Sequence, residues 1–269
     1  MTVLVLGATG KTGRRVVSRL ADAGVAYRAV GRRSTPPFSW EDPAGWPAVL
    51  AGARSAYIVH PELAATGAPA VIEAFVTAAK AAGVERLVLL SGRGEAGARS
   101  SEEVVETSGL NHTVVRASWF AQNFTEGLLQ PAVAAGMIAL PAGDVTEPFV
   151  DADDIADVVV AALTEDRHAG RLYDVTGPRL MTFAEAAAAI SEAAGTPVGY
   201  AAIDPETFRA ALLPAVGPEQ ADMLTQLCVE VFDGRNEKIG YGVQEALGRE
   251  PRDFAGFCRA AAATGVWAR

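Results

Sequence analysis

Short, β-branched apolar runs alternate along the chain with longer stretches whose apolar residues recur at helical spacing. The runs at 3–6, 26–30, 56–59, 86–90 and 112–115 read as strands. β-Branched residues recur in them and helices separate them, which predicts a buried parallel sheet. The stretches at 13–23, 69–82 and 100–107 read as helices, and the second stops before Gly83, a residue suited to the left-handed turn that closes a helix. A very short third strand is expected at 38–40, inside a segment rich in turn formers. Strands alternating with helices predict an α/β protein: a Rossmann-type parallel sheet flanked by helices, with its ligand site at the carboxyl ends of the strands.

The alternation loosens in the second half. A helix is expected at 120–135, extended pieces at 137–140 and 149–150, and a strand at 172–175. The helix at 153–163 begins with acidic residues, which suit the positive end of the helix dipole. The helix at 182–194 carries Thr182 as N-cap and Glu185 three residues on, a capping box. Further helices are expected at 205–213, 218–232, 243–247 and 251–264. The resulting division is a Rossmann-type core at 1–135, completed by segments within 145–180, and a small, mostly helical lobe mainly at 181–269, with the cleft between them expected to take the substrate.

The first strand runs into Gly7-Ala8-Thr9-Gly10-Lys11-Thr12-Gly13 and then into a helix. Glycines there allow a tight turn and close approach of backbone N–H groups to a pyrophosphate, and the helix N-terminus favours the anion. The G-x-x-G-x-x-G spacing meets the generic dinucleotide fingerprint only in part. Arg32 and Arg33 follow the second strand, where the adenosine ribose is expected. No Asp or Glu lies between Arg28 and Phe38 to accept from a 2′-hydroxyl, so a 2′-phosphate is expected and NADP(H) is preferred over NAD(H). The P-loop pattern is absent, which argues against a nucleotide triphosphatase.

A net charge of −9 leaves no general cationic surface for nucleic acid. Cys228 and Cys258 read as reduced core residues, and the three isolated histidines supply no metal-ligand pattern. No apolar run approaches a membrane span. A cytoplasmic protein acting on a small molecule is expected. An apolar C-terminal helix suits either a homodimer contact or packing on its own sheet.

Five ordered motifs carry a family resemblance. They are the glycine loop; Ser108-Gly109-Leu110 with Val115-Arg116 and Trp119-Phe120-Ala121-Gln122-Asn123-Phe124; Phe149-Val150-Asp151-Ala152-Asp153-Asp154-Ile155-Ala156; Tyr173-Asp174-Val175-Thr176-Gly177-Pro178; and Gly248-Arg249-Glu250-Pro251. With these the chain resembles the NmrA-like, atypical branch of the short-chain dehydrogenase/reductase superfamily over nearly its whole length. That group includes NADP-dependent quinone reductases, triphenylmethane-dye reductases, reductases of ergot-alkaloid biosynthesis, and regulators that bind the dinucleotide without obvious turnover.

The resemblance implies that Gly7, Thr9, Gly10, Lys11, Thr12 and Gly13 form the pyrophosphate loop and that Arg32, helped by Arg33, meets the 2′-phosphate. It implies further that His60 and Pro61 lie along the middle of the cofactor. Ser91, Gly92 and Arg93 would approach the nicotinamide ribose, and Ala117, Ser118, Trp119 and Phe120 the nicotinamide. Trp119, Phe120, Asn123 and Phe124 are the candidate substrate contacts. Asn123 and His60 are the candidate catalytic groups, His60 as a proton donor beside solvent.

The Tyr-x-x-x-Lys acid of the larger superfamily is missing. No tyrosine lies between Tyr57 and Tyr173 and no lysine between Lys80 and Lys238, and Glu103 stands where several relatives place a lysine. Hydride transfer is largely a matter of orienting a cofactor that carries the hard chemistry. The expected function is therefore NAD(P)H-dependent reduction of a hydrophobic or conjugated acceptor such as a quinone, iminium or enone. The rival is a non-catalytic, NADP-binding sensor or regulator.

Overall fold

The computed structural model describes residues 2–127 and 129–268. Its centre is a six-stranded parallel sheet in the order β2-β1-β3-β4-β5-β8. The strands are β1 (Thr2–Val5), β2 (Tyr27–Ala29), β3 (Ala53–Ile58), β4 (Arg86–Gly92), β5 (Asn111–Ala117) and β8 (Arg171–Val175). The chain starts in the middle, goes outward to β2, then crosses to the other side. The carboxyl ends of β1 and β3 thus meet at the switch point where a doubly wound sheet binds its ligand.

Helices α2 (Trp46–Leu50), α3 (Ala68–Ala81) and α4 (Ala98–Glu106) cover one face. Leu50, Ile72, Phe75, Val76 and Val105 there pack against Leu4, Ile58, Leu87 and Leu89. The opposite face holds α1 (Gly13–Asp22), α6 (Ala152–Thr164) and α10 (Gly242–Leu247). Their Val16, Leu20, Ile155, Val159 and Val243 pack against Val3, Val5, Val88 and Val115. Alternate strand residues go to opposite faces, and since both faces are covered, both sets are apolar.

A third apolar cluster lies beyond the sheet. It joins α5 (Leu129–Ala135) and β6 (Met137–Leu140) to α7 (Phe183–Ala194), α8 (Pro205–Val216), α9 (Pro218–Val231) and α11 (Phe254–Ala263). Here β6 pairs in parallel with β10 (Gly199–Ala202), while β7 (Thr146–Glu147) pairs antiparallel with β9 (Met181–Thr182). The capping box expected on α7 is present, with Thr182 Oγ1 accepting from the Glu185 N–H at 3.1 Å.

Two expected elements differ. Residues 38–40 form no strand. Pro36 and Pro37 lack the N–H groups a ladder needs, and Phe38 and Trp40 instead pack edge-on against Phe75 at 5.9 and 5.3 Å. The single helix expected at 120–135 is a 3₁₀ turn, Ala121–Phe124, followed by α5. Gly127, at φ +95°, takes a backbone conformation that no right-handed helix contains. Leu128, inside that expected helix, lies outside the described residues.

Among the described residues no helix is long and apolar enough to cross a membrane. No group of three or more His, Cys, Asp or Glu there could hold a metal ion.

Candidate functional site

The glycine loop leaves β1 through Gly7, at φ +61°, and enters α1 at Gly13. A Cβ on Gly13 would stand 2.2 Å from the Gly7 carbonyl oxygen, so only glycine lets the helix start this close to the strand. The first turn of α1 contains no acidic residue, and Thr9 and Gly10 are exposed. The cradle fits a pyrophosphate: glycines keep its backbone accessible, and the first turn of its helix has no acidic residue of its own. Thr12 is turned inward. It is buried and its hydroxyl accepts from Tyr57 at 3.0 Å, which fixes the floor of the loop.

Arg32 and Arg33 lie exposed after β2, and neither has a hydrogen bond or ion pair among the described residues. Their guanidinium groups are therefore unspent. Nearby polar side chains are otherwise engaged. Ser34, for example, donates to the carbonyls of Gly31 and Pro36.

At the carboxyl end of the sheet, a cavity of about 420 Å³ opens between the core and the C-terminal helices. Ala117, Ser118, Trp119 and Phe120 form one wall, with Pro61 and Lys11 at the loop end. Leu129, Leu140, Phe208, Leu224, Leu227 and Val231 make the far side apolar. Lys11 leans out of the glycine loop, and its Nζ donates to Asn123 Oδ1 at 2.9 Å. Burial draws the Lys11 amine below its ordinary value, although the charge of Glu126 opposes this. Cys228 also lines the cavity; burial pushes its thiol up to about 12, so it stays a neutral wall rather than a nucleophile.

The polar groups of this cavity are few and specific. Trp119 stacks at an angle on Phe232, 4.8 Å between ring centres, and its Nε1–H is buried with no hydrogen-bond partner among the described residues. Glu147, at the end of β7, is 1% exposed, and neither carboxylate oxygen has a well-aligned hydrogen bond among the described residues, although the Asn236 side chain and the Trp119 backbone stand near it. Burial pushes its carboxyl up to about 7, against the pull of Asn236, the Arg93 charge and the Trp119 backbone. In sequence alone Glu147 suits either a surface position, the more common role, or a place reaching into the cleft. The signal for burial is its place directly before the apolar run Pro148-Phe149-Val150. Asn236 and the α9 residues carry no motif, and only the fold brings them here.

Not every expected site residue reaches the cavity. Phe124 is a core residue, fully buried and packed at 5.5 Å against both Phe149 and Phe254. Its neighbour Asn123 faces the cavity instead, because the 3₁₀ turn points consecutive side chains in different directions. His60 is outside the lining: its ring lies 4.9 Å from that of Trp40, and its Nδ1 accepts from the Glu62 N–H at 3.1 Å. Burial holds it below the usual histidine value.

Ser91 and Arg93 are buried, and Gly92 packs close to Glu95. Arg93 pairs with Asp174 at 2.8 Å and donates to the Asn236 carbonyl at 2.9 Å, so it ties the C-terminal segment to β4 and β8. Glu103 faces solvent. The carboxylate that α4 turns toward the sheet is Glu102, fully buried and held at both oxygens by Arg116, with one bond at 2.7 Å.

The remaining motifs are welds between elements. Asp151 caps α6 by accepting from the Asp153 N–H at 2.8 Å and also accepts from Gln122 at 2.7 Å. Asp153 pairs with Arg19 at 2.7 Å, joining α6 to α1. Asp154, fully buried, takes Arg249 at 2.7 Å and the Arg252 N–H at 2.7 Å. The acidic run thus does more than stabilise a helix start: it bolts the chain's last segment under the Rossmann core.

The chain is similar to known proteins along nearly its whole length. A sequence model of the NmrA-like family matches residues 38–257. The chain is 33% identical to an NAD(P)H azoreductase of Xenophilus azovorans, over 97% of this chain and 98% of that protein. It is 32% identical to the (4-alkanoyl-5-oxo-2,5-dihydrofuran-3-yl)methyl phosphate reductase of Streptomyces griseus, over 94% and 95%. Its fold matches an NADPH-dependent quinone oxidoreductase of Escherichia coli in complex with NADPH. That match has TM-score 0.82 and 22% identity and covers 97% of this chain and 99% of the other. With its glycine cradle, parallel sheet and helical lobe, the chain belongs to the NmrA-like family and has that family's NAD(P)-binding Rossmann fold.

Proposed function

We propose that this protein is an NADPH-dependent reductase of small, apolar, conjugated acceptors: quinones, iminium compounds or enones. The observation that carries this reading is the cavity. It abuts the glycine loop through Lys11 and Asn123, and its far side is built from aliphatic and aromatic side chains. Such a wall holds a planar apolar molecule, and the few polar groups fix its orientation. The azo, acyl-dihydrofuranone and quinone reductases named above are reductases of conjugated systems, which supports the same class.

A bound reduced nicotinamide would supply the hydride. The protein's own contribution is binding, orientation and exclusion of water. The loop from Gly7 to Gly13 holds the phosphates, with Arg32 and Arg33 on the 2′-phosphate. Ala117 to Phe120 form the wall against which acceptor and nicotinamide meet. Lys11 and Asn123 offer donors to a polar atom of the acceptor.

The test is oxidation of NADPH, followed by nicotinamide absorbance, with a panel of quinones, iminium dyes and enones. Turnover of at least one class is expected. Tight NADPH binding with no turnover across the panel would replace this reading with that of a non-catalytic dinucleotide sensor.

A further inference from the structure

We propose that Glu147 is the proton donor of the reaction, delivering from its carboxyl group the hydrogen that accompanies the hydride when a neutral acceptor is reduced. This rests on the reductase reading above.

Glu147 is a carboxyl group in the wall of a largely apolar cavity, next to the segment from Ser118 to Phe120. Its position is over-determined. The β7–β9 pair sets it opposite Met181, and Ser118 Oγ donates to the Pro148 carbonyl at 2.5 Å immediately beyond it. On the other side, the Thr146 N–H donates to Glu237 at 2.9 Å. The nearest polar groups, the Asn236 side chain and the Trp119 backbone, make no well-aligned hydrogen bond to the carboxyl, so its oxygens keep bonding capacity for a ligand in the cavity. Such unsatisfied groups concentrate where a ligand completes them.

The chemistry of the acceptor supplies the missing partner. Adding hydride to a quinone or enone leaves negative charge on oxygen. That oxygen must gain a hydrogen, and the superfamily's usual tyrosine is absent here. The balanced step has the acceptor gain two electrons and one hydrogen with the hydride. The O–H bond of Glu147 then breaks, its proton joins the acceptor oxygen, and the carboxylate recovers a proton from water. The carboxyl turns into the cavity about its side-chain torsions to do so, with no backbone change.

The charged groups that act on it are Arg93 after β4 and Glu237 after α9, and Lys11 lines the same cavity. Glu237 favours the protonated form and Arg93 the ionised one, while burial dominates both. The carboxyl is therefore available as an acid up to about pH 7.

Two measurements test this. The first compares single-turnover reduction of a neutral quinone with that of a cationic triphenylmethane dye, whose central carbon takes hydride to give a neutral product with no proton needed. In Glu147→Gln, the quinone-to-dye rate ratio should fall about 100-fold, and the wild-type decline in quinone reduction as pH rises through the carboxyl's titration should flatten. A ratio within about threefold of wild type overturns the proposal. If wild type reduces neither acceptor, the reductase reading fails and this role fails with it.

The second measurement needs no turnover. Infrared difference spectra of the NADP-bound protein should show a protonated carboxyl at pH 6 that titrates near neutrality and disappears in Glu147→Gln. Without that signal in the wild-type protein, Glu147 is ionised and holds no proton to give. This measurement also decides the matter should the variant fail to fold.

Discussion

Gly13→Ala puts the cofactor cradle to its sharpest test. The added methyl would lie 2.2 Å from the Gly7 carbonyl oxygen, 2.8 Å from its carbon and 3.0 Å from Ala8 Cα. Favourable contact requires about 3.5 Å, so one backbone must retreat by about 1 Å. Two effects oppose each other. Alanine favours a helix over glycine by about 1 kcal/mol, while overpacking costs about 1–3 kcal/mol. The obstructing atoms are backbone, and Gly7 is held by the Gly10 N–H at 2.9 Å, so the upper end applies. The net loss is about 2 kcal/mol, or about 4–8 °C in the melting temperature for a protein of this size. The same retreat misaligns the amides facing the pyrophosphate, and losing one hydrogen bond to a charged group weakens NADPH binding about tenfold or more. Calorimetric melting and fluorescence titration with NADPH measure the two effects. Unchanged affinity alongside a lowered melting temperature would refute the assignment of this loop to the phosphates; unchanged values of both would refute the packing argument itself.

Arg32→Ala should weaken NADPH binding about tenfold and leave NADH binding nearly unchanged, because only NADPH offers the 2′-phosphate; equal losses in parallel titrations would count against that contact. Phe124→Ala should cost about 3–5 kcal/mol in denaturant unfolding, as expected of a core ring rather than a substrate contact, and a loss below about 1 kcal/mol would contradict that placement. For Asp157, burial works against ionisation, but hydrogen bonds and charge from Arg19 and Arg252 prevail and hold the carboxyl below its usual value. A depressed folded value means stability that is present above the unfolded value near pH 4 and lost as pH falls through the folded one. Asp157→Asn should therefore flatten the fall in melting temperature below about pH 4, and an unchanged acid profile would show that this pairing contributes nothing.

The absence of the Tyr-x-x-x-Lys acid bears differently on the two halves of the reaction. Orientation needs a rigid cradle and wall, and both are present. Proton delivery needs a titratable group near the acceptor; Glu147 and Lys11 line the cavity, while His60 lies outside its lining with Nδ1 accepting from the Glu62 N–H.

Much of the Rossmann half is legible along the chain, because its signals are local. A β-branched run buried on both faces, a glycine that must adopt positive φ, and the capping box at Thr182 and Glu185 each depend on residues within a few positions of one another. The glycine loop and the basic pair at Arg32 and Arg33 belong to this class. What the chain does not show is which distant segments meet. Glu102 and Glu103 look alike in sequence, yet helix rotation buries one on Arg116 and exposes the other. Phe124 and Asn123 are neighbours that a turn sends to core and cavity respectively. α5 and β6 leave the first half to pack with the C-terminal helices, while α10 returns to the sheet. Glu147 differs from a surface glutamate only through burial, and that burial comes from α9, the 233–238 segment and the strand pair with Met181. The sequence by itself determined the glycine loop and its turn into α1, because short-range backbone geometry builds them. Tertiary structure alone decided the cavity, where segments remote in sequence assemble a largely apolar wall and bury a single carboxyl group within it.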